Sequence, residues 1–342
     1  MNANGMKRRA VLAGGAMLLT LATVGGALAQ DPMTIGVAMP FRGNGWQDGF
    51  LAAAEWARDE LNAKGSNVQL FVVDAAGDPQ TQIQQLNNMI LQGVDFIILE
   101  PLSDTALNGA IDNAVNAGIP VLATALGSVT NPRAIDLQQD YDELGRVYIE
   151  NLARIGGGKG KALNIRGLAG NSAEQAIQNA YVRALADHPD IEIVAEVYGD
   201  WNQSVSQQRV AAILPTLPEV DMIISQGVAA FGAAQAFQAA GREVPKQVYG
   251  FDGLDVNLLL QLNEQSGYDS VAINSDPGVG ALAVYVAHAK LSGVEVPMKM
   301  SVPVPVVGID ELRAEHADMA DSEVMWVKHG YDWVLSDLIG AK

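Results

Sequence analysis

Asparagines, tryptophans and single carboxylates stand where the apolar runs of this chain end. Arg42, Asn44, Trp46 and Gln47 follow the first run, Asp74 the second, Glu100 the third, and Thr124 with Ala125 the fourth. Further along, Asn171, the pair Asp200-Trp201, Gln226 and Asp252 occupy the same kind of position, and Asn274 ends another run. Carboxylates and amides make short, directional hydrogen bonds to hydroxyl groups, while indole faces cover apolar C–H surface. The chemistry open to such a set is recognition, because a pocket with a few placed polar groups and aromatic walls holds a small polar solute. Each residue alone is as well explained as an exposed loop group, or, for the tryptophans, as core. Their recurrence at successive run ends is what points to a site.

The elements that must carry these residues alternate. Between Val94 and Thr124 the pattern is a buried strand (Phe96–Leu99), an amphipathic helix (Thr105–Asn116) and a second strand (Pro120–Ala123). A continuous apolar run followed by helix-period spacing is a βαβ unit of a parallel sheet, whose ligands sit beyond the carboxyl ends of the strands. Val220-Asp221-Met222-Ile223-Ile224 echoes Val94-Asp95-Phe96-Ile97-Ile98. The expected fold is α/β, with two similar doubly wound parallel-sheet lobes joined by three hinge crossings near Leu137–Asp140, Ser275–Pro277 and Pro303–Pro305. The expected division is residues 30–138 plus 276–304 in the N-terminal lobe and 139–275 plus 305–342 in the C-terminal lobe. The stretch Gly308–Lys342 is an acidic, aromatic-bearing extension. Its Trp326, Tyr331, Trp333, Leu335 and Leu338 suit a terminal helix packed on the outside of a lobe, and no function is assigned to it.

Residues 1–29 read as an export signal. Lys7, Arg8 and Arg9 make a basic start, Ala10–Ala27 is apolar and small, and Ala27-Leu28-Ala29 is a small-x-small cleavage site. The pair Arg8-Arg9 suits general or twin-arginine export. The 342-residue chain carries a net charge of −18, and loss of the three basic leader residues takes it to −21. Such acidity argues against nucleic acid and anionic membrane surfaces as partners. The absence of cysteine removes disulfides, thiolate metal sites, thiol nucleophiles and a lipid-modified cysteine anchor together. A freely diffusing, monomeric periplasmic protein is expected.

Enzyme signatures are thin. His188, His288, His316 and His329 lack metal-ligand spacing. Gly156-Gly157-Gly158-Lys159-Gly160-Lys161 follows a helix and has no Ser or Thr after Lys161, so it reads as a turn rather than a phosphate loop. Gly170-Asn171-Ser172 continues with Ala173-Glu174 and makes no nucleophile elbow. Neither a catalytic residue, a metal nor a cofactor is expected.

At these residues the chain resembles the periplasmic solute-binding proteins of ABC transporters, in the branch that includes the ribose-binding protein. The resemblance covers about Met33 to Val307. It is carried by Ile35–Met39 leading to Asn44 and Trp46, by Phe96–Asp104, by Gly118-Ile119-Pro120-Val121, by Gln139-Asp140, by Gly167–Ser172, by Val248–Gly253 and by Ser270–Asp276. It implies two α/β lobes that close on ligand, with Asn44, Trp46, Trp201, Gln226, Asp252 and Asn274 at the cleft and the two tryptophans sandwiching a sugar ring; Asp140 is a further candidate ligand-binding residue. Ala125-Leu126 and Ile177 depart from it where the ribose-type proteins carry binding charges, which weakens ribose itself as the solute.

The resulting expectation is a receptor for a neutral monosaccharide or sugar alcohol, delivering it to a membrane permease, with a chemoreceptor as a further partner. An amine cation held by tryptophans and carboxylates is the alternative. A repressor core is disfavoured by the export signal and charge, and an enzyme by the missing nucleophile–base pair.

Overall fold

A computed structural model of the protein describes residues 32–125 and 127–341. The expected export signal and Leu126 lie outside the described residues.

Apolar runs become buried parallel strands. In the N-terminal lobe these are β1 (Met33–Met39), β2 (Val68–Asp74), β3 (Phe96–Leu99), β4 (Val121–Thr124), β5 (Ile135–Gln139) and β11 (Lys299–Val302). They form one six-stranded sheet in the order β11-β5-β4-β3-β1-β2, parallel throughout. The C-terminal lobe holds β6 (Gly160–Arg166), β7 (Ile191–Tyr198), β8 (Met222–Ser225) and β9 (Lys246–Gln247) in the order β7-β6-β8-β9. A parallel bridge from Tyr249 to Ala272 extends this sheet to β10 (Val271–Ile273), and β10 pairs antiparallel with β12 (Val306–Gly308). The two halves therefore place their strands in the same sequence of positions.

The two faces of the N-terminal sheet are closed by α1 (Gly45–Ala63) with α9 (Val279–Leu291) on one side and by α2 (Pro79–Gln92) with α3 (Asn108–Asn116) on the other. The C-terminal lobe is covered by α4 (Tyr141–Gly156), α5 (Ser172–Leu185), α6 (Gln203–Ile213), α7 (Ala229–Ala239) and α8 (Gly253–Ser266). Boundaries follow local chemistry. Asp78 caps α2 through Gln80 and Thr81 with Pro79 in its first turn, and Gly93 ends it at φ 69°. Gly157 ends α4 at φ 79°, so the glycine-rich stretch is a helix-to-strand turn.

Two details of the strands near the hinge matter. The stretch before Gln139 is a strand, β5, whose alternating Ile135 and Leu137 are buried. The run across 302–307 is two strands in two sheets, since Pro303 and Pro305 lack the amide donors a continuous ladder needs. The extension also divides between lobes. α10 (Ile309–Glu315) joins the C-terminal core through Leu312. By contrast α11 (Tyr331–Trp333) and the π turn Val334–Ile339 pack on the N-terminal core with Trp326, Leu335 and Leu338. Assigning 305–342 wholly to the C-terminal lobe is corrected on this point: the aromatic side chains find their apolar partners on α1 and α9.

Candidate functional site

At several strand-to-helix junctions the residue before the helix caps it with its side chain, and at one it faces the gap between lobes. Asn44 caps α1, its Oδ1 accepting from the Gln47 amide at 2.8 Å. That leaves Nδ2 to donate elsewhere. Asp140 caps α4, Asn171 caps α5 and Asn202 caps α6 in the same way. Asp252 occupies the capping position of α8, with extended backbone, yet its side chain caps nothing. Its carboxylate turns to the gap instead.

There the two lobes enclose a cavity of about 450 Å³. The N-terminal lobe supplies Phe41, Asn44, Trp46 and Gln47, and the C-terminal lobe Tyr141, Ile177, Trp201, Asn202 and Asp252. Asn274 and Ser275 contribute from the hinge, and Asp321 and Ser322 from the C-terminal extension. Two hydrogen bonds join the lobes beside the cavity: Ser172 Oγ donates to Asp104 Oδ1 at 3.0 Å, and Tyr141 Oη donates to the Ala125 carbonyl at 3.0 Å.

The indoles are fixed by different means. Trp46 stacks on Phe50 with ring centres 5.9 Å apart, and its Nε1 donates to the Ser275 carbonyl at 2.8 Å. Trp201 sits in a tight turn closed by the Asn202 amide on the Gly199 carbonyl at 2.9 Å. Asp200 and Trp201 take φ of 53° and 49° there, the left-handed region that side chains normally avoid. Two glycines make room for the ring: a methyl group on Gly167 would collide with Nε1, and one on Gly227 would lie 3.1 Å from Cδ1. Backbone strain of about 1–3 kcal/mol per residue is tolerated where surroundings hold a side chain for use.

Acceptors and donors are distributed sparingly. Asn274 Oδ1 accepts from the Ser275 amide at 2.8 Å, so this amide also keeps its nitrogen free. Asp252 is 8% exposed, and burial raises its carboxyl to about 6. Asp255 behind it is fully buried, accepts from the amides of Gly250 at 2.9 Å and Phe231 at 2.7 Å, and is raised to about 8 by burial and by the charge of Asp252. Among the described residues neither lysine nor arginine lines the cavity, and the charged ones that do are Asp48, Asp252 and Asp321.

The structure brings Asn44, Trp46, Gln47, Trp201, Asp252 and Asn274 together on this one cavity. The other sequence candidates stand elsewhere. Arg42 is exposed and off the lining. Asp74 is exposed and takes the Ala76 amide at 2.7 Å in a turn. Asp140 and Asn171 spend their side chains on caps. Glu100 and Thr124 are fully buried at the ends of β3 and β4, a level below the lining. Gln226 is buried too, donating to the Glu174 carbonyl at 3.4 Å. Conversely, Phe41, Tyr141, Asn202, Asp321 and Ser322 line the cavity without having been singled out. Asn202 could have been found from its place directly after Trp201, whereas the pair from the extension carries no local signal.

Comparison with known proteins agrees with this architecture. A family model described as a periplasmic binding protein domain matches residues 35–295. The xylitol-binding protein of Mycolicibacterium smegmatis is 28% identical over 268 residues, 77% of this chain and 74% of that protein. The ribose import binding protein of Haemophilus influenzae is 26% identical over 294 residues, 85% and 96% of the two chains. Among solved structures, an ABC transporter solute binding protein from Thermobispora bispora superposes with a TM-score of 0.79 at 27% identity, covering 90% of this chain and 95% of that one. The chain belongs to the periplasmic binding protein family.

Proposed function

We propose that this family member is an exported receptor that captures a small neutral monosaccharide or sugar alcohol and hands it to the permease of an ABC importer. One observation carries the reading. Between two indoles the cavity offers an uncapped carboxylate, Asp252, as acceptor and the amide nitrogens of Asn44 and Asn274 as donors, with no fixed cation on its lining. A hydroxyl both donates and accepts, so a polyhydroxylated solute satisfies both sets at once. The indole faces cover its C–H surface. The xylitol and ribose receptors among the relatives point to the same solute class. Ala125 and Ile177, apolar on this lining, favour a solute other than ribose itself. An amine cation gains no support from those relatives and is not proposed.

Lobe closure is the mechanism. A solute that touches both lobes makes contacts in the closed form that the open form lacks, and so shifts the population towards closure. Capture and release, not turnover, are the activity. Removal of residues 1–29 after Ala29 would deliver the mature chain to the periplasm, where the closed lobes are the form a permease or a chemoreceptor reads.

The test is thermal shift and titration calorimetry on the chain lacking residues 1–29, with xylitol, D-ribose, D-allose, myo-inositol and choline. Binding to the folded form alone raises the melting temperature by mass action. A rise with at least one neutral polyhydroxyl compound is expected. A response to choline alone, or chemical conversion of the bound compound, would overturn the reading.

A further inference from the structure

The chain passes between the lobes once more after its three hinge strands. Residues 319–325 are bonded to the C-terminal lobe: Asn257 Nδ2 donates to the Met319 carbonyl at 3.0 Å and to Asp321 Oδ1 at 2.9 Å. The Gly253 amide donates to the Glu323 carbonyl at 2.8 Å, and the Met325 amide to the Phe251 carbonyl at 2.9 Å. Within two residues the same segment reaches the other lobe. The Val327 amide donates to the Asp276 carboxylate at 3.3 Å, and Trp326 meets Trp56 edge-on with ring centres 5.3 Å apart. Beyond it, Tyr331 Oη bonds His288 Nδ1 at 3.0 Å, and Val334 and Ile339 are buried in the N-terminal core.

Glycines on both lobes make the passage possible. A methyl group on Gly253 would collide with the Ala320 carbonyl, and one on Gly45 would lie 2.7 Å from Val324 Cγ2. Gly49 likewise leaves space for Val324 and Pro277. Helix starts on opposite lobes are thus cut back to seat one short strand of chain. This strand carries a turn at the cavity, closed by the Glu323 amide on the Ala320 carbonyl at 2.9 Å and the Ala320 amide on Glu323 Oε2 at 2.9 Å. Its tip is Asp321–Ser322, both on the lining. Asn257 holds Asp321 Oδ1, which leaves the second carboxylate oxygen for another partner. The family match ends at residue 295, before this segment begins.

We propose that residues 320–327 are a fourth inter-lobe crossing that restrains opening, and that Asp321 and Ser322 are specificity-determining residues of the solute site. The second half rests on the proposed function: Asp252 bridges Val324, so a polyol held by Asp252 meets Asp321 and Ser322 beside it as a second pair of hydroxyl partners. A ligand that touches all three is selected by hydroxyl placement, beyond what the indoles discriminate.

Two measurements test this. Because the chain lacks cysteine, spin labels at Gln92→Cys and Glu192→Cys report the separation of the lobes without background. In the ligand-free protein, Val324→Gly is expected to lengthen and broaden the distance distribution; an unchanged distribution overturns the crossing as a restraint. Calorimetry with xylitol, D-ribose, D-allose and myo-inositol then compares the parent with Asp321→Ala/Ser322→Ala. The double variant is expected to lose about tenfold or more in affinity and to change the rank order of the compounds. Affinities within about twofold and an unchanged order overturn the specificity role. Failure of the parent to bind any of the four compounds overturns the proposed solute class and, with it, the role given to Asp321 and Ser322, while the label distances still decide the restraint.

Discussion

The carboxylate of Asp252, on the C-terminal lobe, rests against Gly45, the first residue of α1 on the N-terminal lobe: a methyl group there would lie 2.6 Å from Oδ1. Lobe approach and placement of the main acceptor are therefore one geometric event. Gly45→Ala should push Asp252 away from α1 as the lobes meet, and Val324 away from α1 in the free protein as well. Overpacking of this kind costs about 1–3 kcal/mol, so affinity should fall about tenfold and the melting temperature of the free protein should also drop. Calorimetry with the preferred compound checks this; unchanged affinity would mean that the contact is not made in the bound state.

The state of Asp252 should set how binding depends on pH. Burial raises its carboxyl to about 6, and a solute hydroxyl donates far more strongly to the ionised form than to the neutral acid. Binding then weakens as pH falls through 6, with about a tenfold rise in Kd between pH 7 and pH 5. In Asp252→Asn the affinity at pH 7 drops by about 1.5–3 kcal/mol, the worth of a hydrogen bond to a charged group. The same variant should lose the acid-side dependence. A pH profile retained in the variant would assign it to another group.

Trp201 is held by absent side chains. Since a methyl group on Gly167 would collide with its Nε1, Gly167→Ala must displace the indole from the cavity wall. The expected outcome is an affinity loss close to that of Trp201→Ala, with quenched ligand-induced change in tryptophan fluorescence. Asp200→Gly relieves one of the two left-handed positions and should raise stability by about 0.5–1 kcal/mol, read as a higher melting temperature.

Much of this arrangement was legible in the sequence, and the rest was hidden for identifiable reasons. The βαβ period and the repeated Val-Asp-x-Ile-Ile phrase specify two alike lobes, because buried parallel strands need continuous apolar runs. Strand ends then point to Asn44, Trp46, Trp201 and Asp252. The same rule also picks Asp140 and Asn171, which cap helices here, since the residue types that bind hydroxyls are also those that cap helices. It picks Glu100 and Thr124 too, which are fully buried, so that depth as well as position along the strand decides access. Asp321 and Ser322 reach the cavity through tertiary packing of an extension whose aromatic anchors have no regular period. Only three-dimensional contacts disclose them.

Glu100 lies wholly inside the N-terminal lobe, and burial raises its carboxyl to about 8, with the Gln47 amide pulling the other way. A raised carboxyl means that the folded state binds the proton more tightly than the unfolded chain. Stability is accordingly lost as pH rises from about 4.5 through 8, at about 1.4 kcal/mol per unit, a few kcal/mol in all. Glu100→Gln removes that term. Its melting temperature should match the parent near pH 4 and exceed it increasingly up to pH 8–9. Other raised groups, such as Asp255, are common to both proteins and cancel in the comparison. A difference that stays flat across this range would show that Glu100 is not held protonated.

Ser172 to Asp104 and Tyr141 to Ala125 are side-chain bonds that join the lobes beside the cavity. Neither is needed for either lobe to fold, because each donor sits at the start of a helix whose core contacts lie behind it. Ser172→Ala leaves Asp104 near water, where it can be resolvated, so the loss should be about 0.5–1 kcal/mol. Tyr141→Phe should cost somewhat more, about 1 kcal/mol, since the Ala125 carbonyl is half-buried on the cavity lining and is only partly resolvated when its partner is lost. Both changes act on the closed form alone, so they should speed solute release and leave capture almost unchanged, as interface changes generally do. Stopped-flow measurement of the two rates separates these effects. If Tyr141→Phe slowed capture instead, the Ala125 contact would already be in place before the lobes close.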